Sequence, residues 1–185
     1  MDIWVVDKKK KEKIIKKKEF VWWLITFFIT LFLYLALNAF VFINAEVPTT
    51  SMLPAISPGN RIFTNRLAYK FKAPQRKDIV AFLCPDNDML YVKRIIGLPG
   101  EKIEIKNGDV YIDNKILEEK EILKDYDNFG PYFIPDNTYF LLGDNRFFSE
   151  DSRYWDNKVV PQQNILGKVV FKYNFIPLEF KKLNN

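Results

Sequence analysis

The 185 residues contain no histidine. That excludes Ser-His-Asp and Cys-His catalysis, and it excludes any histidine-ligated metal. A single cysteine, Cys84, excludes thiolate zinc clusters and intrachain disulfides and leaves a packed, inert thiol as its expected role. The sequence also lacks long repeats, metal-ligand spacing and a phosphate-binding glycine loop, so no metal and no cofactor are expected. Any nucleophilic serine in such a chain needs a base other than imidazole.

Net basic charge is small outside the first 19 residues. There, eight lysines stand against four acids, a net of +4, whereas the remaining 20 basic and 19 acidic side chains leave +1. Basicity confined to a head argues against nucleic-acid binding by the body. Directly after the head comes the one long uncharged run, residues 20–45. As a helix it spans about 39 Å, enough for a ~30 Å hydrocarbon core with some tilt. Trp22 and Trp23 sit at its entry, where interfacial aromatics belong, and the lysines before it are expected to stay cytoplasmic. A cleaved signal peptide would have a shorter apolar region, roughly 7–15 residues. The expected organisation is a cytoplasmic head (1–19), a single transmembrane helix (20–45) and an extracytoplasmic domain (46–185).

The domain reads as mainly β. Short apolar or alternating runs recur at 61–67, 78–83, 91–96, 102–106, 109–112, 115–117, 139–142 and 167–177, with turn signals at Asn107-Gly108 and Asp113-Asn114. Residues 131–135 are bounded by prolines and suit an edge strand. Residues 118–128 are acidic and irregular. Near the start, Pro48 and Pro54 bracket a non-helical stretch holding Ser51, six residues past Ala45. That places Ser51 within about 22 Å of the helix end along the backbone.

In the run Tyr91-Val92-Lys93-Arg94-Ile95-Ile96, side chains alternate faces, so Lys93 shares one with Tyr91 and Ile95. Two outcomes are open for it. The ammonium snorkels to a sheet edge, or burial lowers its pKa, by roughly 3–5 units when complete, and leaves a neutral amine able to act as a general base. Later, the dense segment 139–155 offers two short-range polar pairs, Asp144/Arg146 and Asp151/Arg153.

Four motifs in this order resemble the type I signal peptidases, the Ser/Lys endopeptidases. They are Ser51-Met52-Leu53-Pro54, Lys77-Asp78-Ile79-Val80-Ala81-Phe82, Tyr91-Val92-Lys93-Arg94-Ile95-Ile96-Gly97-Leu98-Pro99-Gly100, and Gly143-Asp144-Asn145-Arg146 with Ser149, Asp151, Ser152 and Arg153. The resemblance covers residues 20 to about 177. It implies a signal-peptidase-like, β-rich catalytic domain on one N-terminal transmembrane helix, with a small β cap insertion at about 104–138. It further implies Ser51 as nucleophile, Lys93 as general base, and an oxyanion hole of the Thr49 hydroxyl and the Ser51 N–H. Ser149 would orient the lysine amine, and the Asp151/Arg153 pair would brace the site. Val47, Met52, Ile56, Tyr91 and Val92 would form shallow substrate pockets. The implied substrates are signal peptides of exported precursors, cut after small residues in an Ala-x-Ala-like pattern. The bilayer and nearby export machinery would be the remaining partners.

Ala55 stands where the family usually has threonine, Asn60 and Lys77 where it has Asp and Gly, and Asp156 where a glycine follows the tryptophan. None of the four removes a proposed catalytic group. A peptidase specialised for a pilin or a conjugative-transfer substrate would share fold and site. Self-cleaving Ser/Lys repressors would need a soluble DNA-binding head, which the apolar span excludes. An inactive peptide-binding homologue is disfavoured by the presence of Ser51, Lys93 and Ser149 together.

Overall fold

The structure, a computed structural model, describes residues 3–175 and 178–183. The expected strand end at Pro177 and the tail residues Asn184 and Asn185 lie outside the described residues. The chain divides into two compact units, Met1–Val41 and Phe42–Asn185.

The first unit is one helix, α1 (Ile3–Phe40). The lysine-rich head from Ile3 onward forms the opening turns of this helix. Lys16–Leu35 is long and apolar enough to cross a membrane by length and composition. The helix ends earlier than the hydropathy predicts. Residues 42–45 belong instead to β1 (Phe42–Glu46), which pairs antiparallel with β2 (Arg61–Asn65) from Phe42↔Asn65 to Glu46↔Arg61. Apolar content alone does not separate a helix end from a strand start, and here the β2 partner decides. Residues 20–40 still rise about 30 Å as helix, the thickness of a hydrocarbon core.

The second unit is built from two antiparallel sheets. The larger also contains β3 (Ile79–Leu83), β4 (Leu90–Gly97), β9 (Thr138–Leu142), β10 (Val160–Pro161), β11 (Ile165–Phe175) and β12 (Leu178–Lys182). Its order is β1-β2-β11-β3-β4-β9-β10, with β12 on β11. The smaller, ordered β7-β6-β5-β8, comprises β5 (Lys102–Lys106), β6 (Asp109–Ile112), β7 (Lys115–Ile116) and β8 (Phe129–Phe133). This is the cap, and β8, with Pro131, is its edge. Its turns carry the expected residues in left-handed backbone: Asn107 at φ 51°, Asp113 at 48° and Asn114 at 66°.

The central strands are apolar on both faces, and their alternation divides the core in three. Val80 and Phe82 of β3 pack with Cys84, Ile95, Tyr139, Leu141 and Trp155. Ile79 and Ala81 point the other way, toward Val47, Met52, Ile56, Ile62 and Val169. Phe140 and Leu142 of β9 join Ile96 to the cap residues Ile103, Ile105, Val110 and Ile112. Cys84 is fully buried, and burial raises its thiol pKa, as expected for an inert side chain.

Candidate active site

Ser51 sits on a turn nailed down by its neighbours. Leu53 N–H donates to Thr50 O (3.1 Å) and Ile56 N–H to Met52 O (2.7 Å). Met52 and Ile56 are fully buried beneath it, each burial contributing about 1.5–3 kcal/mol. They anchor the serine turn from within the apolar core. The Ser51 hydroxyl lies 3.2 Å from that of Thr49. Its carbonyl accepts from Asn145 N–H (3.0 Å), while Asn145 Nδ2 donates to Thr50 O (3.2 Å). The sequence assigns Asn145 no role. The only signal for it is its place within the Gly143-Asp144-Asn145-Arg146 run.

Lys93 comes from β4, opposite Val80 of β3, with its amine 5.9 Å from the centroid of the Tyr91 ring. The residue is 5% exposed. Among the described residues its amine makes no hydrogen bond and no ion pair, so snorkelling to a sheet edge is not what happens. Burial pushes its pKa from 10.5 down to about 8, against the opposing pull of Asp151 and Glu150. Near pH 8 about half of such amines are neutral, the state in which an amine accepts a proton.

The loop after β9 supplies the bracing groups. Asp151 accepts from Gly143 N–H (3.1 Å) and from Arg153 Nε (2.9 Å), so the expected Asp151/Arg153 pair is present. Asp144 and Arg146 do not pair with each other. Asp144 receives Arg94 in a two-pronged contact of 2.7 and 2.6 Å, and Arg146 pairs with Glu119 while donating to Gly143 O (3.0 Å). Spacing alone does not decide this, since Asp151 and Arg153 are also two apart and do pair; the partners brought in by other elements, Arg94 and Glu119, decide it. The acidic stretch 118–128 proves to be a strap over this loop. Glu119 holds Arg146, Leu123 bonds to both Asp144 O and Arg146 N–H, and Asp125 holds Arg153.

Ser149 is buried and its hydroxyl has no partner, so the structure does not join it to the Lys93 amine. Buried hydroxyls are ordinarily bonded, so one without a partner calls for an explanation. Gly143 shows how close the two loops run. A Cβ there would lie 2.2 Å from Ser149 Oγ and 2.6 Å from Ser51 O, closer than any side chain tolerates.

Thr49, Ser51 and Lys93 line one cleft of about 320 Å³, together with Val47, Tyr91 and Val92. Leu90 and Phe148 form an exposed apolar part of its wall, and Glu46 and Glu150 add carboxylates. Clefts of about 670 and 680 Å³ elsewhere on the domain are larger; the first has Ser57 and the half-buried Lys172 in its wall, and the second has no serine. Among the described residues no three His, Cys, Asp or Glu side chains converge as metal ligands. What the cleft assembles is a hydroxyl, a second hydroxyl beside it and an amine of depressed pKa, the components of nucleophilic acyl transfer without imidazole.

Residues 20–174 match the family model described as signal peptidase, peptidase S26. The chain is 37% identical over 154 residues to a probable signal peptidase I-1 of Synechocystis sp., covering 78% of each protein. It is 37% identical over 150 residues to a signal peptidase I of Leptolyngbya laminosa, covering 76% of this chain and 73% of that one. It is 36% identical over 156 residues to signal peptidase I S of Bacillus subtilis, covering 78% and 84%.

Proposed function

The chain belongs to the signal peptidase family, peptidase S26, and from that premise we propose that it is a membrane-anchored serine endopeptidase that removes signal peptides from exported precursors with a Ser51/Lys93 dyad. The observation that carries the dyad is the pairing, in a histidine-free chain, of Ser51 with a buried lysine of depressed pKa in one cleft.

In this reading the neutral Lys93 amine takes the Ser51 proton as Oγ attacks the scissile carbonyl. The Ser51 N–H and the Thr49 hydroxyl hold the oxyanion, whose charge exists only along the reaction path. The Lys93 ammonium then protonates the leaving amine, giving a Ser51 ester and neutral Lys93. Water, deprotonated by the same amine, hydrolyses the ester. Ser149, unpartnered beside Gly143, orients the amine, and Asp151 with Arg153 braces the loop. The substrate lies extended beside β1, which is an edge strand of the large sheet and leads toward Ser51. Val47, Tyr91 and Val92 leave room for small side chains next to the cut. The apolar wall at Leu90 and Phe148 suits an apolar signal peptide at a bilayer surface.

The lysines that open α1 keep the N-terminus cytoplasmic and the β domain on the outer face, with one membrane pass and the export machinery as neighbour. The test is incubation of the detergent-solubilised chain with an exported precursor and sequencing of the new N-terminus. A cut after a small residue in wild type, absent in Ser51→Ala, is expected. Cleavage undiminished in Ser51→Ala would remove the serine from its role. Thr49→Ala is expected to lower kcat about 100–1000-fold with KM little changed, the usual loss for one oxyanion donor. A rise in KM alone would make Thr49 a substrate contact.

A further inference from the structure

A second cavity, of about 360 Å³, is walled by the β11–β12 hairpin, the start of β3 and the strap. No residue lines both this cavity and the serine cleft. Lys77, Lys172, Lys181 and Lys182 face it, beside Lys120 of the strap, with Glu119 and Glu121 as the acids in its wall. Lys172 and Lys181 also border the cleft of about 670 Å³, where Glu46 and Glu179 stand. Glu119 is already engaged by Arg146, and Arg94, also in the wall, by Asp144. Among the described residues none of the four lysine amines has a hydrogen bond or an ion pair.

Three observations make this cluster unfavourable within the protein alone. Lys172 and Lys181 are direct cross-strand partners, and like charges in that position repel. Lys172 is half-buried, and burial, followed by the Lys181 charge, holds its amine below the ordinary lysine range. Lys77 has φ 71°, a left-handed conformation that glycine adopts freely and a side-chain-bearing residue adopts at a cost. The electrostatic costs at Lys172 and Lys181 fall when a multiply charged anion sits among the amines, since lysines act on phosphate as compact point charges; the backbone cost at Lys77 is unchanged by the anion.

We propose that this cavity binds a phosphate group through Lys77, Lys172, Lys181 and Lys182. The group comes either from the headgroup of an anionic lipid or from phosphate free in solution. Phosphate binding here is independent of the peptidase reading, because no residue of the Ser51 cleft takes part.

The test uses the full chain in neutral detergent micelles and reads its thermal midpoint. One arm titrates inorganic phosphate at constant ionic strength. The other replaces phosphatidylcholine in mixed micelles with phosphatidylglycerol. A rise of several degrees in either arm is expected. A response to phosphate alone assigns the free anion, and a response to phosphatidylglycerol assigns the headgroup. In the Lys172→Gln/Lys181→Gln variant the unliganded midpoint should rise, as repulsion is removed, and the response should vanish. Lys77→Gly relieves the backbone and keeps the fold, and its affinity should fall several-fold. No rise in either arm, or an equal rise in the double variant, overturns the proposal.

Discussion

Lys93 carries opposite consequences for stability and for activity. Its folded pKa of about 8 lies below the 10.5 of the unfolded chain, so the unfolded state binds more protons between those values. The burial cost is therefore present in full below about pH 8, declines as pH rises and is gone above about 10.5. Lys93→Met removes that cost and suits the site, since methionine is of similar length and apolar. The variant is expected to be more stable than wild type at pH 7, by on the order of 1–3 kcal/mol in denaturant unfolding, and to have no measurable cleavage. A destabilised Lys93→Met, or a folded one that still cleaves, contradicts the buried-base reading. The same amine sets the acid limb of kcat/KM near pH 8, with activity rising toward alkaline pH. Glu150 is exposed, lines the cleft and raises the Lys93 pKa. Removing its charge in Glu150→Gln should move that limb to lower pH without loss of stability. A limb that stays put, or moves to higher pH, places the titration elsewhere.

At the scale of elements, the strap of residues 118–128 decides whether the loop bearing Ser149 and Asp151 is held in place. Asp125 is 6% exposed and ends on Arg153, which in turn holds Asp151. Asp125→Asn removes one charge from this buried chain while leaving Arg153 its contact with Asp151. The expected cost is about 1–3 kcal/mol, less than for a fully broken buried pair. Because the brace acts on Asp151 and Gly143, kcat should fall about tenfold with KM nearly unchanged, whereas simple loss of folded protein would lower the active concentration alone. The strap also marks where the sequence stops being legible. β4, β5, β6 and their turns are readable because alternation, Asn107-Gly108 and Asp113-Asn114 are local signals. The strap has no periodicity, and its partners, Arg146 and Arg153, lie more than twenty residues away. β12 escapes a sequence reading because its Lys-rich stretch resembles a solvated tail until β11 supplies its ladder. The β1 start is hidden inside an apolar run, and nearness suggests an Asp144/Arg146 pair when the true partners, Arg94 and Glu119, sit on other elements. Within the candidate site, Ser51, Lys93, Val47, Tyr91 and Val92 line one cleft, and each stands in or beside a motif that the sequence displays. Met52 and Ile56 are buried in the core, and a motif position says nothing about which way a turn residue points.

At the scale of the whole molecule, the two units divide the work. Phe42–Asn185 holds all three apolar clusters, the serine cleft and the basic cavity. Met1–Val41 contributes the helix whose segment Lys16–Leu35 is long and apolar enough for a membrane, and its side chains are exposed throughout that segment. A segment apolar and exposed along its length suits a nonaqueous surrounding. Its role in catalysis is then one of concentration, since confining enzyme and precursor to one bilayer raises the effective encounter rate without adding a contact, by factors that reach about 10²–10⁴ for linked binding events. Deleting residues 1–41 is therefore expected to leave a folded β domain whose kcat/KM on a short soluble peptide stays within about threefold of the full chain, while cleavage of a precursor embedded in vesicles falls by roughly 100-fold or more. Comparing the two substrates separates the roles. Equal losses on both would mean that the helix supports the cleft itself. No loss on the embedded precursor would mean that the β domain reaches the membrane unaided, through apolar side chains such as Phe147 and Phe148, which are 59% and 74% exposed.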